Sequence, residues 1–249
     1  KRPMIIIGMG ALARNDGGAI LGQAHAIADA YGVVAGDWNG FNVLHNAASR
    51  VAGLDLGLTP GRGGLDVDGI YKAASADKLD LVWLHAADEI EEAMFEKTFV
   101  VYQGHHGDRG AHVADVILPG AAYTEKDGIY LNTEGRVQYA ARATFPPGEA
   151  REDWTIIRAL AGRRGINPGF DTVGALRGAM FELVPHFADR DEIKPARWAK
   201  FGSKTKMTSD AVGTAVETFH MTCAISRASE TMGQCLMALQ ADAARDAAE

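Results

Sequence analysis

The 249-residue chain carries 25 lysines and arginines against 32 aspartates and glutamates, a net charge of −7. That balance favours solubility and argues against sequence-independent nucleic-acid binding, which relies on cations meeting phosphates. No apolar run approaches the roughly 18 residues needed to cross a bilayer. Two cysteines, Cys223 and Cys235, cannot alone build an iron–sulfur cluster or a structural zinc site, each of which takes four ligands.

In chain order, Lys1-Arg2 followed by an apolar stretch ending Ala11-Leu12-Ala13 has the outline of a signal peptide. Met4-Ile5-Ile6-Ile7-Gly8, however, runs straight into Gly10 and a helical pattern, as the first strand of an α/β domain would. The chain therefore reads as a piece of a longer polypeptide. Ile5 to Ile7 should form a central strand, continuously apolar because both faces are covered. Asn15-Asp16 should cap a helix over 18–31, with Ile20, Ala24, Ile27 and Ala28 on one face. A short strand is expected at 33–35 and a second helix over 41–52, followed by a glycine-rich loop over 55–64. A helix at 67–76, a strand at 79–84 and a brief helix at 89–96 come next.

The stretch 98–138 is the most informative. Phe99-Val100-Val101-Tyr102 suits a buried strand, a glycine- and histidine-rich loop spans 104–112, and a second strand at 113–118 stops at Pro119-Gly120. Residues 128–132 and 136–139 flank Thr133-Glu134-Gly135, a hairpin signal with Gly135 supplying the positive φ. Strands alternating with helices predict an α/β fold, a doubly wound and mostly parallel sheet with the hairpin added at an edge. Residues 141–152 read as a linker, and 153–162 and 171–184 as helices, the latter capped by Asp171 or Thr172. Residues 226–248 should form a final helix. The expected organisation is an α/β domain over 1–140 and a linker with a mainly helical extension over 141–249.

Several motifs invite chemistry. Gly8-Met9-Gly10 between strand and helix has the form of a phosphate-cradling turn, with Ala13 at the third glycine position of a dinucleotide fingerprint. Asp16 opposes a phosphate there, and glycines that merely permit a tight turn are the simpler reading. His105, His106, Asp108, His112 and Asp115 form the richest set of potential metal ligands. Adjacent histidines in an extended loop should point apart, so histidines bonding backbone carbonyls fit better, with Asp108-Arg109 bonding within the loop. Glu125, Asp127 and Glu134 are candidate acid–base groups, but they sit in polar turns with no nucleophile placed between them. Ser203, Ser226 and Ser229 lack a nucleophile-elbow setting. The cysteines, about 18 Å apart if on one helix, should be buried and reduced. Residues 194–206 are basic, with Trp198 and Phe201 between the cations. A nucleic-acid surface is one reading, and a solvated loop facing an acidic neighbour suits an acidic chain better.

The run from Ala114 to Gln138 resembles the tail of the molybdopterin-oxidoreductase-like domain. Residues 101–126, VYQGHHGDRGAHVADVILPGAAYTEK, more narrowly resemble the large iron–sulfur subunit of NADH:quinone oxidoreductase, respiratory complex I. The likeness extends back through residues 2–58, including Asp37-Trp38-Asn39-Gly40-Phe41-Asn42-Val43-Leu44, and on to Phe219-His220-Met221-Thr222 and Ile225-Ser226-Arg227-Ala228-Ser229. Residues 162–206 carry little of it, and His220 to Ile225 depart from the tyrosine, aspartate and proline expected there.

The resemblance implies a formate dehydrogenase/DMSO reductase-like fold with the pterin site lost, and a structural and assembly role. No catalytic, cofactor-binding or metal residue is carried over. It further implies [4Fe-4S] and [2Fe-2S] clusters in an N-terminal region outside this stretch, and other peripheral-arm subunits as partners. It implies no nucleic acid and no membrane span, and a peripheral place on the cytoplasmic face of a bacterial inner membrane or the matrix side of a mitochondrial one. The alternative it leaves open is a catalytic molybdopterin oxidoreductase of formate dehydrogenase type. A free-standing nucleotide-binding module built on Gly8 and Gly10 is a third reading.

Overall fold

The computed structural model describes residues 2–48, 50–211, 218 and 220–246. Strand β1 (Ile5–Gly8) leads into a single helical turn, α1 (Met9–Leu12), and then helix α2 (Gly17–Ala30). Strands β2 (Val34–Ala35), β3 (Trp38–Asn39) and β4 (Phe41–Leu44) precede helices α3 (Arg50–Asp55) and α4 (Val67–Ser75). Strands β5 (Leu81–His85) and β6 (Phe99–Gly104), the turn α5 (Arg109–His112) and strand β7 (Val116–Pro119) follow. The hairpin strands β8 (Gly128–Leu131) and β9 (Val137–Ala140) come before helices α6 (Asp153–Arg163) and α7 (Val173–Leu183). The chain ends in α8 (Ala224–Arg227) and α9 (Glu230–Asp246).

The fold is mixed α/β with parallel strands, as the alternation predicts. The parallel strands fall into two separate sheets, β1-β4 and β5-β6-β7, and the hairpin β8-β9 forms its own sheet instead of extending an edge. The chain divides into two compact units: Lys1–Leu58 with Ile129–Ala140 and Arg177–Ala215, and Thr59–Gly128 with Ala141–Leu176 and Val216–Glu249.

In the first unit β1 pairs with β4 in parallel, Ile5 opposite Phe41 and Ile7 opposite Val43. The segment read as a helix over 41–52 is thus a strand followed by a shorter helix. Gly40 explains the switch. A Cβ there would lie 2.2 Å from the Pro3 carbonyl oxygen, and this close approach lets Ile5 N–H reach Gly40 O at 2.8 Å and start the ladder. Aromatic Phe41 and β-branched Val43 then suit the pleat. Nor is β1 covered on both faces: Ile7 is buried, whereas Ile6 is 54% exposed. The 33–35 strand is half of a two-residue ribbon, β2 with β3.

The hairpin turn forms as its residues dictate. Gly135 has φ +83°, and Asn132 Oδ1 accepts the N–H groups of both Glu134 and Arg136 at 3.0 Å. Leu131 and Val137 bury their side chains with Ala52, Val184 and Phe187.

The second unit is built on β5-β6-β7, all parallel, with Leu84 opposite Tyr102 and Tyr102 opposite Ile117. Its core gathers Ala74, Leu84, Ile90, Phe95, Val100 and Tyr102. Asp66 caps α4 by accepting from Gly69 N–H at 2.8 Å, and Thr172 serves α7 through Ala175 N–H at 3.1 Å. The final helix is broken at Ala228-Ser229; residues 247 and 248 of the expected helix, and Phe219, lie outside the described residues. Both cysteines are exposed, not buried. Cys223 stands at the N-cap of α8, where the Ser226 hydroxyl hydrogen bond draws its thiol below the usual range.

Candidate functional site

In open parallel sheets, ligands lie beyond the carboxyl ends of the strands. The two parallel sheets offer two such places, and the chain's own residues cover the one above β5-β6-β7.

Strands β5, β6 and β7 end at His85, Gly104 and Pro119. Asp153, the first residue of α6, sits over them. Gln103, fully buried in β6, donates from Nε2 to Asp153 Oδ1 at 2.9 Å. Lys126 Nζ donates to Asp153 Oδ2, and His85 Nε2 stands 3.9 Å from Oδ1. Burial alone would raise the Asp153 carboxyl; the hydrogen bond and charge of Lys126 outweigh it and hold the group below its ordinary range. Gly120 is needed here, because a Cβ would come within 2.9 Å of Asp153 Oδ1.

The histidine loop lies beside this cluster. His105 and His106 do not point apart: the backbone bends after β6, and their Nδ1 atoms meet at 2.6 Å, one donating and the other accepting. Burial lowers the His105 pKa, and the charges of His106 and Lys126 add to the effect. The His106 carbonyl is met by Tyr102, whose hydroxyl lies 3.0 Å from His106 O and 3.2 Å from Asp88 Oδ2. Burial pushes the Tyr102 phenol and the Asp88 carboxyl upward. Asp108 bonds outside its loop, accepting from Arg227 Nε at 2.5 Å. Arg227 also donates to Glu89 Oε1 and Met221 O, each at 3.1 Å.

The other residues singled out in the sequence are scattered. His112 lies 3.7 Å from Glu92 on the surface, and Asp115 accepts the Val100 N–H at 2.7 Å. Glu125 accepts from Ala122 N–H and Asp127 from Arg142 N–H, both at 2.9 Å. Glu134 reaches only Asn132 in the hairpin turn. Ser226 bonds to Cys223. Among the described residues no group of three or more His, Cys, Asp or Glu is arranged to hold a metal ion. Sequence reasoning missed Gln103, Lys126, Asp153 and Arg227 as the hubs. Arg227 had a signal, its place in the run Ile225–Ser229; Asp153 showed only as a helix start.

The first unit carries a second packed feature, over α2. Space beside Gly8 is open, and α1 is a single turn. Asp16, expected to cap α2, makes no capping bond. Its buried carboxylate accepts instead from Arg14 Nε at 2.8 Å and from Thr208 N–H at 2.9 Å, and the Arg14 hydrogen bond leads in holding it far below the ordinary range. Thr208 belongs to a strap, residues 194–211, laid on α2. A Cβ at Gly22 would lie 2.4 Å from Ser203 O, and Ser203 N–H bonds to Gly18 O at 2.7 Å. His25 stacks on Trp198 with centroids 5.0 Å apart and meets the edge of Phe201 at 4.6 Å. Its Nε2 is 3.1 Å from Ala199 O. The basic segment is therefore docked through its aromatic residues, and its cations face solvent.

A family model for molybdopterin oxidoreductase matches residues 1–163. The chain belongs to the molybdopterin oxidoreductase family. A second model, for the C-terminal region of the G subunit of NADH-ubiquinone oxidoreductase, matches residues 192–235, which include the strap and Arg227. Among similar curated proteins is the NADH-quinone oxidoreductase G subunit of Rickettsia bellii (strain RML369-C), 41% identical over 240 residues, 96% of this chain and 34% of that one. The corresponding G subunit of Rickettsia conorii (strain ATCC VR-613 / Malish 7) is 43% identical over 97% of this chain and 34% of its own length. The mitochondrial NADH-ubiquinone oxidoreductase 78 kDa subunit of Neurospora crassa is 42% identical over 94% of this chain and 32% of its own. The chain thus spans about a third of the length of the relatives it matches.

The family's name implies a pterin, and the cations nearest these strand ends are already engaged within the chain. The pyrophosphate of a pterin dinucleotide calls for free N–H groups or cations. Above β5-β6-β7 the nearby cation, Lys126, is already bound to Asp153. Near β1, Arg14 is engaged with Asp16 and the carbonyls of Asp210 and Ala211.

Proposed function

We propose that this chain is the structural and assembly portion of the large iron–sulfur subunit of an NADH:quinone oxidoreductase. In that enzyme electrons pass from NADH to quinone with coupled proton translocation. The observation that carries the reading is the pairing, in one chain, of a molybdopterin oxidoreductase match over 1–163 with a match to the C-terminal region of the G subunit over 192–235. Supporting it, the carboxyl ends of β5-β6-β7 are covered by Asp153 with Lys126 in one unit, and α2 carries the strap in the other. The iron–sulfur clusters belong to the parent's remaining length, and the partners are other peripheral-arm subunits. Among the described residues no helix is long and apolar enough to span a membrane, which suits a peripheral place on the side facing NADH.

The test is to delete this region from the full-length subunit and to purify the complex from membranes. Assembled complex, measured as NADH oxidation by quinone per membrane protein, should fall at least tenfold. Intact subunit should contain no stoichiometric molybdenum by elemental analysis. Molybdenum near one per chain, or a deletion that assembles and turns over normally, would overturn the reading.

A further inference from the structure

The strap has two sides. Trp198 and Phe201 close on His25 and on Phe41, whose ring centroid is 5.4 Å from that of Trp198 and 5.2 Å from that of Phe201. Trp198 Nε1 donates to Asp29 Oδ1 at 2.7 Å. Close to these anchors in sequence stand Arg197, Lys200, Lys204 and Lys206, all exposed, and none of the four makes an ion pair among the described residues. Lys194 is different, bound to Glu192 at 2.7 Å and to Asp189 at 3.5 Å. From Ile193 to Ser209 the sequence contains no acidic residue, in a chain whose net charge is −7.

We infer that the outward side of the strap, Arg197, Lys200, Lys204 and Lys206, is a docking surface for an acidic patch on another protein chain. The inference rests on the proposed function only for the setting, an assembly of several subunits. Three observations select the occupant. A nucleic-acid surface would offer aromatic rings for bases to stack on, and here both rings are turned onto His25 and Phe41. Stable membrane attachment by a basic segment takes an apolar anchor beside the cations; with Trp198 and Phe201 turned inward, the large apolar group left exposed in the strap is a single side chain, Met207. The backbone, moreover, is fixed against α2 at Gly18 and Gly22, so the cations are presented from an ordered segment. Little ordering entropy is then lost on contact, and charge complementarity sets partner choice and encounter rate.

The test uses the full-length subunit in its complex. Zero-length carbodiimide cross-linking should join Lys200, Lys204 or Lys206 to an aspartate or glutamate of a different polypeptide. A variant with R197Q, K200Q, K204Q and K206Q should leave the complex at about half the wild-type salt concentration or lower, since exposed charge pairs are screened by salt. The charge-keeping K200R, K204R, K206R variant should behave as wild type, and all three should show the same thermal midpoint. Unchanged salt dependence in the glutamine variant, or cross-links confined to the subunit itself, would overturn the inference. So would a defect seen only in binding to phosphatidylglycerol–phosphatidylcholine vesicles, which assigns the surface to lipid. If the cross-links appear on a partner assembly without NADH- or quinone-linked activity, the surface stands and the proposed function falls. If that activity is present and the cross-links and salt effect are absent, the surface alone falls.

Discussion

Asp153 above β5-β6-β7 and the strap over α2 are held in place by different means. Above β5-β6-β7 the seal is electrostatic: one carboxylate, Asp153, collects Gln103 and Lys126 in a largely buried setting. Over α2 the seal is mainly steric and main-chain, with Gly18 and Gly22 admitting the Ser203 backbone and a ring cluster locking the middle of the strap. A buried charge pair fails badly when one member is removed, because the other is left unpaired. A close-packed backbone fails when anything is added. The two should therefore break in opposite ways.

The largest effect is expected from Asp153→Ala, which leaves Lys126 and Gln103 without their acceptor. Loss of about 2–4 kcal/mol follows from breaking such a pair, read as a lowered urea midpoint. A change under about 0.5 kcal/mol would mean the seal is solvated. Gly135→Val should cost about 1–3 kcal/mol, since the residue is held at φ +83° and β-branching opposes that conformation. An unchanged midpoint would show the turn to be adaptable.

Gly22→Ala is the sharper probe of the steric seal. In a free helix face this change stabilises by up to about 1 kcal/mol. Here the new methyl meets Ser203 O, so the sign should reverse, with about 1–2 kcal/mol lost and the Trp198 emission shifted to the red. A stabilised protein with unshifted emission would place the strap off the helix.

Acid is the gentlest probe. Asp153 and Asp16 both have folded pKa values below their unfolded ones. Each contributes stability that is full above the ordinary carboxylate value of about 4 and is lost as pH falls through its lowered folded value. Asp153→Asn should flatten the acid limb; an unaltered limb would remove Asp153 as its source.

Local chemistry was legible in the sequence, and long-range partnership was not. The hairpin and its glycine could be read because Asn132 to Gly135 determine the turn among themselves. The strand at Phe99 and the helix from Asp153 were visible for the same reason. The 41–52 stretch misled because Ala47, Ala48 and Val51 do carry a helical period, while the approach of Pro3 to Gly40 that decides the strand leaves no local mark. The histidine pair was placed on opposite sides by assuming an extended loop. Asp16 looked like a cap because position and residue type fit one, yet its partners include Thr208, 192 residues away. Arg227 lies 119 residues from Asp108, a separation no periodicity reveals.

That separation bears on the order in which the chain can mature during synthesis. The ladder β5-β6-β7 is complete within residues 81–119 and can form soon after it emerges. Helix α2, finished at Ala30, must wait for residues 194–211 before its glycine face is covered. At the usual pace of about 5–20 residues per second, that delay is on the order of 10–30 s. Through that interval the face destined for Ser203 and Trp198 is bare on the nascent chain, open to whatever other surface reaches it first.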